Sequence, residues 1–189
     1  MKLIPSVASS LLVVLVAMPA FSGTTVNSNT PAGIEQSKQQ ERFTDEQILG
    51  IIAAVDEGEI AAANIAKTKQ IIPKVSRYAN YLLRQHSDNL ASLKALEQKT
   101  GLKAMKSEQS DAIASDAAKE GEMLTSLNGK AFEAAYIDAM VKGHAGGLKL
   151  INTVLLKEVT NVQLKHFLVS FRALVTRHLE KAKKIQESM

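Results

Sequence analysis

The chain has 189 residues, a formal net charge of +4 and no cysteine. The missing cysteine excludes disulfides, thiolate metal sites, a thiol nucleophile and a lipidated N-terminal cysteine. The basic residues are spread along helical faces without interleaved aromatics, a pattern that speaks against a nucleic-acid groove. Ala, Leu, Lys and Glu dominate and prolines occur only at positions 5, 19, 31 and 73, so the composition predicts an all-helical domain.

Met1-Lys2, the apolar run from Leu11 to Ala17 and the exit Met18-Pro-Ala-Phe-Ser22 predict a signal peptide over 1–22. Its apolar centre is shorter than the ~20 residues that a membrane helix needs, and no other stretch approaches that length. The reading is therefore an exported protein with no integral span in its mature part. Residues 23–43 lack a sustained apolar period and read as a flexible lead-in. The remaining segment, 44–187, is long enough for one domain with a real core.

Thr44-Asp-Glu-Gln47 has the spacing of a capping box and predicts the start of a first helix running to about Ile71. Its inner stripe is Ile48, Ile52, Val55, Glu59, Ala62 and Ala66. Pro73 forbids simple continuation and suits the first turn of a second helix. That helix carries Val75, Tyr78, Leu82, His86, Leu90 or Asn89, Leu93 and Leu96 inward and stops at Gly101. Residues 102–129 are less periodic and predict a crossover with a short helix near 108–124, broken at Gly121 and at Asn128-Gly129.

A third long helix begins near Lys130 and stacks Phe132, Tyr136, Met140, His144, Leu148, Ile151 and Leu155. Gly143 and Gly146-Gly147 flank the histidine and weaken the helix by ~1 kcal/mol each, a cost that fits a kink or the close approach of a helix or ligand. The last helix has the cleanest repeat: Leu164, Leu168, Phe171, Val175, His178, Ala182 and Ile185. Together these elements predict a ferritin-like four-helix bundle of two antiparallel hairpins joined by a long crossover.

Each long helix thus places one liganding residue in a core slot: Glu59, His86, His144 and His178. Residues equally distant from a hairpin turn share a level. Around a turn near Ile72, Glu59 and His86 stand 13 and 14 residues away; around one near Thr160, His144 and His178 stand 16 and 18 away. Glu59 should therefore face His86, and all four groups should converge at mid-bundle. Buried polar groups must satisfy each other or bind something, and three imidazoles with a carboxylate suit Zn, Cu, Fe, Ni or Mn.

The alternative is a buried His/Glu polar network in a structural or interaction bundle of the cell envelope. Met140, one turn before His144, could add a thioether, although core packing explains it as well. His166 falls on the opposite face and should be solvated. Asp56 and Glu57 lie near Glu59 but off the stripe, Asp88 and Asn89 flank His86, and all four read as surface residues before they read as supporting groups. Glu-x-x-His pairs are absent, which disfavours a dinuclear carboxylate centre. With no general base or substrate pocket to name, an enzymatic reading ranks below both others.

The stretches Asp56-Glu-Gly-Glu59-Ile, Gln85-His-Ser-Asp-Asn89-Leu, Phe132-Glu-Ala-Ala-Tyr136-Ile-Asp-Ala-Met-Val-Lys-Gly-His144 and Arg177-His-Leu-Glu-Lys-Ala182 together resemble the bacterial family catalogued as domain of unknown function 4142. The resemblance covers roughly 44–186 and implies a secreted or periplasmic ferritin-like bundle, often labelled an outer-membrane protein, with no established activity. The family pattern reads Asp-His at helix two, where this chain has Gln85-His86. The combined expectation is an exported bundle holding a transition-metal ion through Glu59, His86, His144 and His178, in metal handling or envelope stress tolerance.

Overall fold

A computed structural model describes residues 42–189; the predicted signal peptide and nearly all of the lead-in lie outside the described residues. The elements are α1 (Asp45–Lys67), α2 (Pro73–Thr100), α3 (Glu108–Ser126), α4 (Gly129–Leu150), a π-helical segment (Ile151–Leu155), the single turn α5 (Leu156–Glu158) and α6 (Val162–Gln186). Among the described residues there is no strand. The protein is an all-α bundle in which α1, α2, α4 and α6 form the four long members.

The local chemistry at the helix ends follows the sequence. Thr44 Oγ1 accepts from the Gln47 amide at 3.2 Å and Gln47 Oε1 accepts from the Thr44 amide at 3.0 Å, the reciprocal capping box. Gly101 ends α2 with φ +78°, a left-handed conformation that a side chain would disfavour. Asn161 Oδ1 caps α6 by accepting from the amides of Gln163 and Leu164. Asp45 accepts from the backbone amides of Thr160 and Asn161, which pins the start of α6 to the start of α1.

Three expectations are revised. The first helix ends at Lys67, four residues early. Thr68–Ile72 form a connector in which the Ile72 amide donates to the buried Glu133 carboxylate at 2.7 Å, a bond that ties α2 to α4. The crossover helix is 19 residues long and runs through Gly121 without a break. It does so because that glycine packs on α1, where an added Cβ would meet Ile65 at 3.4 Å. The closest backbone approach falls not at Gly143 but at Gly50, against the Met105 backbone in the connector after α2, and at Gly58, where a Cβ would stand 2.9 Å from that of Ala117.

The core divides into two apolar clusters. One joins the start of α1, the end of α2, the end of α4 and the start of α6 around Ile48, Ile52, Leu93, Ile151, Leu164 and Leu168. The other joins the opposite helix ends around Ala66, Tyr78, Leu82, Phe132, Tyr136 and Ala182. Hence α1 is antiparallel to α2, and α4 to α6. The crossover helix α3 buries only Ser110 and Leu124 and packs along α1, beside the gap between α1 and α4.

Candidate metal centre

Between the two apolar clusters lies a polar layer. His86, His144 and His178 are 1%, 3% and 0% exposed, and each offers a ring nitrogen within 4.8 Å of the other two. The ring centroids are 4.9 Å apart for His86 and His178, 5.3 Å for His144 and His178, and 6.1 Å for His86 and His144. Three helices thus bring three imidazoles to one point, at the height that the hairpin registers predict. This buried triad could hold a metal ion.

Each ring is fixed from behind. The Nδ1–H of His86 donates to Asp56 Oδ1 at 2.8 Å, and Asn89 Nδ2 donates to the other Asp56 oxygen at 2.7 Å. The Nδ1–H of His144 donates to the Met140 carbonyl at 2.6 Å. In both rings this arrangement leaves the Nε2 lone pair facing the layer, the tautomer a metal requires. His178 has no hydrogen-bond partner on either nitrogen; its ring meets the edge of Tyr81 at 5.3 Å, and its carbonyl accepts from the Tyr78 hydroxyl at 3.0 Å.

Glu59 reaches the layer from α1, with Oε1 3.8 Å from His144 Nε2 and Oε2 without a partner. That separation is too long for a hydrogen bond. The expected facing of Glu59 and His86 is replaced by two contacts: Asp56 takes His86, and Glu59 approaches His144. Burial, then the neighbouring His86, His144, Arg177 and Lys181, push the His178 pKa down to about 2, so its ring is neutral and keeps a lone pair that no proton occupies. Burial also holds the Asp56 carboxyl above the ordinary carboxylate range, against the lowering influence of His86.

Sequence reasoning favours the surface for Asp56 and leaves Asn89 between the surface and the inner face; Asp56 is 0% exposed and Asn89 is half-buried. The signal was present in the register: around the turn that levels Glu59 with His86, Asp56 levels with Asn89, one helical turn further from the hairpin. Asp56, on the neighbouring helix, supplies the carboxylate behind His86. Glu57, Asp88 and His166 are exposed, as expected. Met140 contributes its carbonyl oxygen to the layer. Tyr136, not anticipated as a polar member, is fully buried with an unpartnered hydroxyl.

The sequence model of a family described as a domain of unknown function, DUF4142, matches residues 29–185, and the chain belongs to this family. A crystal structure of a DUF305 protein from Streptomyces coelicolor, described as a candidate secreted protein, is similar in fold, with a TM-score of 0.57, 15% identity, and coverage of 76% of this chain and 87% of that one. At that identity the likeness concerns the fold alone. No curated protein matches the chain.

Proposed function

We propose that this DUF4142 member is an exported protein that holds one transition-metal ion between His86, His144 and His178, with Glu59 as a fourth ligand or beside an open position, and that it serves metal handling or envelope stress tolerance. The observation that carries the reading is the direction of the unmet bonds. Glu59 Oε2, His86 Nε2, His144 Nε2 and both nitrogens of His178 are buried with no hydrogen-bond partner. Leaving one such group unsatisfied costs about 1–3 kcal/mol. Five in one layer form a costly arrangement for a polar network that exists only to support the fold.

A self-satisfying network would have imidazoles donating to one another or to Glu59. Here the satisfied atoms face outward, to Asp56 and Met140, and the unsatisfied atoms face inward. A cation reverses the sign of that cost for Glu59, His86, His144 and one nitrogen of His178, since neutral imidazole and carboxylate lone pairs become ligands. On a tetrahedral ion with bonds of about 2.0 Å the nitrogens would stand roughly 3.3 Å apart, so a spread of up to 4.8 Å closes by small side-chain movements. Nitrogen and oxygen donors suit Zn, Fe, Mn, Ni or Cu(II), and the missing thiolate disfavours Cu(I).

Export is supported by the N-terminal sequence pattern and by the description of the DUF305 neighbour. No helix among the described residues is long and apolar enough to cross a membrane. The test is elemental analysis of the full chain, purified untagged, beside a His86→Ala/His178→Ala variant. One metal per chain in the parent, lost in a variant that still folds, is the expected result. Saturating metal should raise the parental Tm by about 10 °C, from ~4 kcal/mol of binding at a thousandfold excess over Kd. A folded parent whose melting ignores every divalent ion would leave the layer as a polar network.

A further inference from the structure

We infer that the cleft between α1, α3 and α4 is the route by which a hydrated divalent cation reaches the histidines, with Glu59 as the carboxylate that passes it inward; the inference rests on the metal reading above. Two cavities meet at this wall. An inner one of about 30 Å³ has Glu59, His86 and His144 on its polar side and Ile52, Ile151 and Phe171 on its apolar side, and an outer cleft of about 120 Å³ sets Glu59, Asp116 and Glu120 among small and apolar residues. The inner space suits about one water or ion. Val55, Glu59, Gly143, Gly147 and Leu150 line both.

The glycines explain why the partition is thin. A Cβ at Gly143 would stand 3.8 Å from Glu59 Oε1, so a carboxylate, and no side chain of α4, fills the wall at that point. Immediately behind it lies His144 Nε2, on a residue 3% exposed, unpartnered and 3.8 Å from the same oxygen. Apolar clusters close the layer toward both bundle ends. The α1/α4 gap is beside α3, which contacts α4 sparsely.

The cleft has a sign. Glu59, Asp116 and Glu120 contribute carboxylates, and no Lys or Arg lines it. At its rim Asp116 pairs with Lys119 at 3.4 Å, an exposed contact that neutralises little. A cleft lined by one charge and walled by protein concentrates counter-ions and accelerates their capture. An anionic occupant fits this charge poorly.

The test is stopped-flow uptake and chelator-driven release of Co2+ by the metal-free full chain, followed by the visible absorption of the bound ion. Gly143→Leu, which thickens the wall beside Glu59 and leaves the three histidines unchanged, should slow both uptake and release by about tenfold while moving Kd far less. At pH 8, where Glu120 is ionised, Glu120→Gln should slow uptake severalfold at low salt, the difference shrinking as salt screens the cleft. Parental rates in a folded Gly143→Leu protein would overturn the route. Should that variant fail to fold, Glu120→Gln decides: uptake unchanged at low salt overturns the proposal, and a salt-dependent loss supports it. A parent that gives no Co2+ spectrum would overturn the metal centre itself, a different outcome from bound metal with insensitive rates.

Discussion

The two ends of the bundle and its middle are built on the same helices with the same spacing, yet they solve opposite problems. At the ends, core slots hold side chains such as Ile48, Leu82, Phe132 and Leu164, all 0% exposed. In the middle the equivalent slots hold His86, His144 and His178, with Asp56 behind them, and several of their polar atoms lack partners. Apolar burial is non-directional and stabilises wherever shape allows, whereas a buried imidazole requires a partner for each nitrogen. The ends therefore hold the fold together, and the middle persists because they do.

The sharpest way to break the comparison is to damage an end. Phe132 stacks on Tyr136 at a centroid distance of 5.6 Å and is fully buried. Phe132→Ala should destabilise the protein by about 3–5 kcal/mol, the sum of lost transfer energy and the cavity left behind. Urea unfolding of the metal-free protein checks it; a loss below ~1 kcal/mol would mean that this end does not carry the fold. His178→Leu should act in the opposite direction. Replacing a ring with two unpartnered nitrogens by an apolar side chain of similar reach should stabilise the metal-free protein by about 1–2 kcal/mol and abolish metal binding. Loss of stability on that change would show that His178 satisfies a bond the geometry does not reveal.

Most of this contrast was legible in the sequence. Helix-period stripes gave four long helices, and counting from Ile72 and Thr160 placed Glu59, His86, His144 and His178 at one level. Side-chain partners were harder to read, because a level fixes height along the axis and leaves rotation to within a fraction of a turn. For that reason Asp56, three residues from Glu59, was assigned to the surface although it is the acceptor of His86. The continuous crossover helix was obscured for a related reason: α3 is mostly polar, and its order comes from packing on α1 at Gly58 and Ala117, a tertiary contact that no local pattern encodes.

Asp56 sharpens the comparison by testing whether the middle is organised for metal. Asp56→Asn keeps the shape and a hydrogen-bond acceptor for His86 but removes the charge that raises imidazole basicity. Metal affinity should fall by about 10- to 100-fold, measured by competition with a chromophoric chelator. Unchanged affinity in a folded variant would remove Asp56 from the site.

The smallest effect concerns protons, and here the middle and its acidic cleft oppose each other in the metal-free protein. His178 is pushed down to about 2 in the folded state from its ordinary value of 6.5. Unfolded chains therefore take up the proton first, and His178 contributes stability that is present above about pH 6.5 and lost as the pH falls toward 2. Burial, then the charges of Glu59 and Asp138, raises the Glu120 carboxyl from 4.5 to about 7. For Glu120 the folded state takes up the proton first, so its contribution is fully present below pH 4.5 and lost as the pH rises through 7. Between pH 7 and pH 5 the two contributions largely cancel. Glu120→Gln removes one of them: the variant should be more stable than the parent at pH 8 by about 1 kcal/mol, and should lose stability more steeply on acidification. Urea midpoints of both proteins at pH 8, 7, 6 and 5 measure the difference, and parallel curves would mean that Glu120 is solvated in the folded state and that the cleft is more open than its geometry indicates.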